Sequence, residues 1–419
     1  DARLLFVTDS IYDKLDETRM TGLDGIFSLQ DLRLLEIRKK GVQKACEKAD
    51  ERYLESFGGV LKREQFLLPK IENDVMAAIL YTSGTSGFSK GAMLTHNCLA
   101  ANVDYAQHSI ELKSGHSLLS FLPTAHAFGC AFDFLFPICT GCHTAFLSQI
   151  PSPKILVQAL AQVRPHLILT VPLVIEKLYR KNIKPQLEKA PMRALVKVPG
   201  IRNILYNKIR AKLFDLFGGR FISIVIGGAA LNDEVEAFLR RLNFPYTVGY
   251  GMTECGPLIS YSPWDQHRMG AVGKPIYTLK VRIDPEVTQS VDGSGEVQVW
   301  GENVMVGYYK NEAASKEAFT EDGWLHTGDI GSLDEDGFLF LKGRHKSMLL
   351  GPSGQNIYPE EIEARLNTMP FVEESLIIEK GQKLVALVYP SMETVDTEGL
   401  DEKRLQERMA ENLQLLNEQ

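Results

Sequence analysis

YTSGTSGFSKG, residues 81–91, is a run of hydroxyls and glycines closed by a lysine, and it directly follows the apolar stretch VMAAIL at 75–80. Gly84, Gly87 and Gly91 let backbone N–H groups converge on an anion, while Thr82, Ser83, Thr85 and Ser86 add donors and Lys90 adds a cation. The stretch reads as a polyphosphate cradle. The apolar run before it reads as a buried strand, which sets the loop at a strand's carboxyl end, where open α/β sheets hold their ligands. A Walker A loop is excluded, because Lys90 is followed by Gly91 rather than by Ser or Thr. A flexible Ser/Gly linker is the bland alternative, and both the preceding strand and the closing Lys-Gly argue against it.

Outward from the loop, strand-like and helix-like stretches alternate over 74–260: strands at 75–80, 117–122, 167–170 and 222–226, and helices near 99–109 and 155–162. From about 270 to 342 short strands and turns take over, at 279–283, 295–300 and 338–342, with Asp292-Gly293 and Asp336-Gly337 as hairpin turns. Past Gly343 a charged, hinge-like segment leads to Pro359 followed by acids, the chemistry of a helix start. The expected class is α/β: a large multi-layer domain over 1–345 with a β-rich subdomain, and a small α+β domain over 346–419. The strand-like opening at Asp1 reads as a start inside a domain, with no signal peptide.

At 419 residues and 44% apolar content the chain can bury a sizeable core in two or more domains. A net charge of −7 argues against general nucleic-acid binding, and no uncharged apolar run is long enough for a transmembrane helix. The six cysteines lie mostly in apolar segments, as reduced thiols of a cytoplasmic protein do. Cys139-Thr-Gly-Cys142-His143 matches the pattern of c-type haem attachment, a rival from another class. Its flanks read instead as buried elements joined by a turn at Gly141. Residues 177–220 hold twelve Lys and Arg against Glu188 and Asp215, and Leu205, Ile209, Leu213 and Leu216 fall at helical spacing. Such a helix either packs its stripe on the core under a solvated basic face or touches an anionic membrane from the inner side.

Four further segments gain meaning only beside the loop. IGGAAL at 226–231 puts small residues after a strand, room for a flat ring against backbone. GYGMTE at 249–254 places an aromatic, a hydroxyl and a carboxylate close together, suited to base stacking, phosphate contact and Mg²⁺ ligation. HTGD at 326–329 sets an acid beside a glycine turn, able to grip ribose hydroxyls, and GRHK at 343–346 precedes GQNIYPEEIE at 354–363 as a cationic hinge.

In order, content and spacing these motifs, with LPTAHAFG at 122–129, resemble the adenylate-forming superfamily of acyl-CoA synthetases, peptide-synthetase adenylation domains and luciferases, and most of all its long-chain fatty-acid–CoA ligases. The resemblance covers nearly the whole chain. It implies Thr82, Ser83, Gly84, Thr85, Ser86, Gly87 and Lys90 around the triphosphate, Thr253 at the α-phosphate, and Glu254 with Thr85 on Mg²⁺. Gly228, Ala229, Ala230 and Tyr250 would bracket adenine, and Asp329 and Arg344 would hold ribose. Lys346 would be the pivot, Gly354 would border the coenzyme A tunnel, and His126 and Gly251 would face the acid. The implied reaction is ATP-dependent activation of a fatty acid to acyl-AMP, then transfer to coenzyme A. An aryl or medium-chain acid, a carrier-protein acceptor, a non-catalytic relative and a homodimer all stay open.

The chain departs from the pattern in three places. The loop's usual proline is Ser89, and the site of a bulky aromatic gate in some long-chain members is Cys130. The family's C-terminal catalytic lysine has no match before Gln419, since Lys403 sits in a charged, helix-like stretch, so the residues read as part of a longer enzyme.

Overall fold

The computed structural model describes residues 2–16, 20–65, 69–82, 89–148, 151–188, 198–288, 293–350, 356–367, 369–380 and 383–417. The chain forms two compact units, Asp1–Ile71 and Glu72–Gln419, a boundary that sequence patterning did not mark. In the first unit, strands Leu4–Val7, Gly25–Ser28 and Leu34–Ile37 form one sheet, followed by helices Lys40–Glu47 and Ala49–Phe57.

The second unit is built on a five-stranded parallel sheet in the spatial order Tyr246–Val248, Ser223–Ile226, Leu167–Thr170, Ser117–Ser120, His143–Phe146. Alternate residues of these strands enter two different cores, as period-two side chains must when both faces are covered. Leu118, Leu167, Leu169 and Val225 pack with Val103, Tyr105 and Ala106 of helix His96–Ser109. Leu119, Ile168, Ile224 and Ile226 pack with Leu160, Leu213, Val235 and Phe238 from helices Pro153–Val163, Pro199–Leu216 and Asp233–Arg241. Each fully buried aliphatic here contributes about 1.5–3 kcal/mol. The chain order of the strands reverses between Ser117–Ser120 and Leu167–Thr170, so a crevice opens beyond their carboxyl ends.

The stretch at 75–80 is not part of that sheet, which corrects the sequence expectation. Strand Met76–Thr82 pairs antiparallel with Lys90–Thr95, and Gly307–Tyr308 adds a third strand on the far side of Lys90–Thr95. Lys90 therefore opens the antiparallel returning strand opposite Thr82. Nor is the strand buried: Met76 is 48% and Tyr81 65% exposed. An apolar run alone cannot separate a central parallel strand from a short antiparallel one.

The β-rich expectation is met by a four-stranded antiparallel sheet of Leu279–Asp284, Gly295–Gly301, Leu325–Leu333 and Leu339–Arg344. Gly337, at φ +81°, closes the hairpin before Leu339–Arg344. Beyond it, helix Pro359–Leu366 begins with proline and two acids, then hairpin Val372–Lys380 and Lys383–Pro390 leads to helices Met392–Glu398 and Glu402–Asn417. Lys403 lies exposed on the last of these. The division at 345/346 stays a proposal: helix Pro359–Leu366 is bound into the second unit, where Asn232 Nδ2 donates to the Ala364 carbonyl at 3.1 Å.

Ile209, Leu213 and Leu216 of the basic helix face the core, while Val198, Ile201 and Ile204 are exposed near its start. No helix among the described residues is long and apolar enough to cross a membrane. Cys139 is the next-to-last residue of helix Phe136–Thr140, Gly141 closes it at φ +77°, and the edge strand His143–Phe146 follows, half-buried rather than buried. All six cysteines are free thiols.

Candidate functional site

A cavity of about 400 Å³ lies at the carboxyl edge of the parallel sheet. Its wall comes from the loops and strand ends that meet at the topological switch: Leu122, His126 and Phe132 from one side, Leu169 and Val225 beneath, Tyr261 and Ile110 further along. Mostly apolar lining with few polar groups is the usual build of a small-molecule pocket. Asp133, the one acid of the 122–136 stretch, is not in that wall; it is 1% exposed behind it. No ammonium partner for an amino-acid substrate is therefore offered from this segment.

Tyr250 lines the cavity and its hydroxyl donates to the buried Asp329 Oδ2 at 2.6 Å. Asp329 and Arg344 stand opposite one another on adjacent strands, and Arg344 Nε lies 3.1 Å from Asp329 Oδ1. Burial pushes the Asp329 carboxyl above its usual range, with the Tyr250 hydroxyl and the Arg344 charge pulling the other way. Burial, then the Asp329 charge, also drives the Tyr250 phenol upward. HTGD lies inside strand Leu325–Leu333 rather than at a turn between strands, which corrects the sequence expectation, and it is braced by its neighbour: Gly328, at φ +72°, donates its N–H to Glu296 Oε1 at 3.1 Å, and the Thr327 hydroxyl donates to the Val297 carbonyl at 2.7 Å. That bracing fixes the acid on a rigid ladder.

A second polar group meets the cavity at Thr253. Glu254, buried in the short turn Thr253–Cys255, accepts from the Tyr308 hydroxyl at 2.8 Å. Lys90 Nζ lies 5.0 Å from the centre of the Tyr308 ring, a cation over an aromatic face. The backbone makes this meeting possible, since Tyr308 pairs with Ala92 in the hairpin sheet and Met305 N–H donates to the Glu254 carbonyl at 2.8 Å. Sequence reasoning missed Tyr308, and Gly307-Tyr308-Tyr309 by itself gives no motif signal.

The remaining expected residues are distributed unevenly. Thr82 ends its strand beside Lys90, with its hydroxyl donating to the Lys90 carbonyl at 3.4 Å. Ser83, Gly84, Thr85, Ser86, Gly87 and Gly354 lie outside the described residues. Gly228, at φ +88°, lines the cavity and Ala229 and Ala230 follow it, exposed. Gly251 also lines it, and a Cβ there would sit 2.1 Å from the Pro257 carbonyl oxygen, so only glycine fits. His126 is exposed at the rim, and Lys346 occupies the short turn His345–Ser347 just past Arg344.

No cluster of three or more metal-ligating side chains occurs among the described residues. A lone buried carboxylate at Glu254 suits Mg²⁺, which is commonly held by one or two carboxylates plus the phosphates of its substrate.

Among known proteins, the family model described as AMP-binding enzyme matches residues 1–309. The long-chain-fatty-acid–CoA ligase of Mycobacterium bovis is 30% identical over 354 residues, 78% of this chain and 55% of the relative. That of Salmonella typhimurium is 33% identical over 307 residues, 72% of this chain and 49% of the relative. The chain thus spans about half the length of the curated relatives it matches. Among solved structures, the ATP-bound RpMatB-BxBclM chimera aligns with a TM-score of 0.71 at 25% identity, over 97% of this chain and 72% of its own. The O-succinylbenzoate coenzyme A synthetase of Bacillus subtilis shares the fold, with a TM-score of 0.67 at 21% identity over 93% and 70% of the two chains. The doubly covered parallel sheet, the motifs gathered at its carboxyl edge and these matches make the chain a member of the AMP-binding enzyme family, within the adenylate-forming superfamily.

Proposed function

We propose that this chain carries the activation site of an acid–thiol ligase that converts a fatty acid, of the long-chain class, to acyl-AMP and then to acyl-CoA. The observation that carries the proposal is one apolar cavity lined by Tyr250, whose hydroxyl leads to Asp329 and Arg344, and by Thr253, next in the chain to Glu254 with its Tyr308 and Lys90 neighbours. The named long-chain relatives support the acid class. In the first step a carboxylate oxygen attacks the α-phosphorus of ATP and pyrophosphate leaves. In the second, the coenzyme A thiolate attacks the acyl carbonyl and AMP leaves.

The chain's own groups divide this work by position. Asp329 and Arg344 hold the ribose side, Gly228, Ala229, Ala230 and Tyr250 bracket the base, and His126 and Gly251 border the acid. Thr253 meets the α-phosphate, while Lys90, with the loop residues 82–87, offsets charge on the departing pyrophosphate. Glu254, with Thr85, would hold Mg²⁺, whose contribution when bound is to neutralise phosphate charge. Lys346 is the turning point between half-reactions, and Gly354 borders the coenzyme A path.

The deciding experiment is pyrophosphate release with fatty, aryl and amino acids, with coenzyme A present or omitted. Release with long-chain acids and acyl-CoA formation support the proposal. Preference for aryl or medium-chain acids, or thioester only on a carrier protein, revises it, and no release from the full-length protein with any acid supports a non-catalytic nucleotide-binding role.

A cytoplasmic protein that touches the inner membrane face through 177–220 fits a fatty acid drawn from lipid. Since Ile209 and Leu213 pack inward, that contact would use the exposed Val198, Ile201 and Ile204 together with the basic residues. Equal recovery in the supernatant with and without anionic liposomes defeats it, and light scattering decides between monomer and homodimer.

A further inference from the structure

We infer that Asn102, an amide buried in helix His96–Ser109, is a positioning residue for Glu254: it clamps the 252–258 segment to the helix that continues the Lys90 strand. Asparagine is a weak helix former, because its side chain competes for nearby backbone groups, so a buried one in mid-helix calls for a reason. Asn102 is 0% exposed, and both ends of its amide are engaged. Nδ2 donates to the Cys98 carbonyl at 2.8 Å, one turn back on its own helix, and to the Cys255 carbonyl at 3.1 Å. Oδ1 accepts from the Leu258 N–H at 2.8 Å.

The amide thus takes hold of the segment at Cys255 and at Leu258, just past Glu254. The segment also closes on itself: Met252 N–H donates to the Pro257 carbonyl at 2.9 Å, and Gly256 N–H to the Thr253 carbonyl at 3.1 Å. Gly256, at φ +63°, lets helix and loop meet, since a Cβ there would lie 3.2 Å from Asn102 Nδ2 and 3.3 Å from the Cys98 carbonyl oxygen. From the other side, the strip that binds the Glu254 carbonyl through Met305 is itself tied to the same helix and strand. Cys98 Sγ donates to the Val304 carbonyl at 3.1 Å, and Val306 N–H donates to the Met93 carbonyl at 3.0 Å.

The Tyr308 hydroxyl orients the Glu254 carboxylate, but a carboxylate is placed no better than the backbone that carries it. Helix His96–Ser109 starts at its cap Thr95, the last residue of the Lys90 strand, so the clamp refers Glu254 to the framework that holds Lys90. Its two arms serve different ends of the segment. The donor arm acts beside Glu254, and the acceptor arm acts on Leu258, which lines the cavity.

The inference rests on the ligase proposal for the ligand that Glu254 meets, so one readout needs no ligand. In the wild type the Leu258 amide should exchange with deuterium as slowly as those of the core strands. It should speed up in Asn102→Ala, which deletes its acceptor, and not in Val103→Ala, another buried truncation on the same helix. Asn102→Asp keeps the acceptor and removes the donor arm, so Leu258 should stay protected. In that variant the Mg²⁺ concentration for half-maximal binding of a fluorescent ATP analogue should rise by about 10–100-fold, whereas Val103→Ala should match wild type. In a Glu254→Gln background Asn102→Asp should add nothing further. Affinity for a fluorescent fatty-acid probe should hold in Asn102→Asp and weaken in Asn102→Ala. Free exchange of the Leu258 amide in the folded wild type overturns the clamp even if no variant folds. An unmoved Mg²⁺ dependence in folded Asn102→Asp, or an equal shift in Val103→Ala, makes Asn102 a core residue and rejects the positioning role. A wild type that keeps Leu258 protected but binds no ATP analogue with Mg²⁺ refutes the ligase proposal, and with it the role given to the clamp.

Discussion

The carboxyl edge of the parallel sheet and the antiparallel ladders beside it do opposite jobs. The parallel edge supplies shape: Leu169, Val225 and Ile226 enter the cavity wall as strand ends whose neighbours on both faces are core. The antiparallel parts supply charge, with Lys90 and Tyr308 on the hairpin sheet and Asp329 opposite Arg344 on the four-stranded one. A parallel sheet covered on both faces has little room for charged side chains except beyond its strand ends. Antiparallel ladders, with one face free, can carry them in pairs. Substitutions should accordingly split into those that change acid binding and those that change nucleotide chemistry.

The largest effect is expected at Glu254. Glu254→Gln keeps the volume of a buried side chain but removes its charge, and pyrophosphate release should fall by about 10²–10³-fold. Displacement of a fluorescent fatty-acid probe should be unchanged. Loss of probe binding along with turnover would mean that the two regions are not separable.

The converse experiment is Leu169→Ala. Leu169 is 2% exposed, so truncation should cost about 2–4 kcal/mol in denaturant unfolding. At a temperature where the variant stays folded, KM for the acid should rise while KM for ATP holds. An equal rise in both would break the division.

Asp329→Asn comes next, with KM for ATP raised about tenfold or more through loss of the charged acceptor facing Tyr250 and Arg344. Because burial raises the Asp329 pKa, wild-type KM for ATP should also climb with falling pH before the ordinary carboxylate range is reached, and the variant should not follow. A wild-type KM flat down to the ordinary carboxylate range would count against Asp329 as the ribose acceptor.

The division between regions also governs how much could be read beforehand. Strands 167–170 and 222–226 were legible because short β-branched and leucine runs bounded by polar residues have few other uses, and Pro359 with its acids marked a helix start on chemistry alone. The candidate residues at 250–254, 329 and 344 stand in recognisable motifs, and the structure links Tyr250 to Asp329 and Asp329 to Arg344. The sheet that carries the phosphate loop was misassigned, since VMAAIL looks identical in a central parallel strand and in an exposed hairpin. Tyr308 and Asn102 were invisible, because the first matters only through a ladder to Ala92, and the second through its bonds to Cys255 and Leu258. Both are pairings between segments, which periodicity within one segment cannot carry.

The smallest expected effect gives the finest test of how the polar side is wired. Tyr308→Phe keeps the ring that lies 5.0 Å from Lys90 Nζ and deletes only the hydroxyl that donates to Glu254 at 2.8 Å. One hydrogen bond to a charged acceptor is worth about 1.5–3 kcal/mol at most, and water can replace part of it at a partly open site. The Mg²⁺ concentration for half-maximal pyrophosphate release should therefore rise by roughly threefold to tenfold, with KM for the acid unmoved. Tyr308→Leu removes ring and hydroxyl together, and any further loss measures what the aromatic face does for Lys90. Were the phenylalanine variant indistinguishable from wild type and the leucine variant impaired, the hydroxyl would have no part in holding Glu254. The hairpin sheet would then serve the site through its lysine alone.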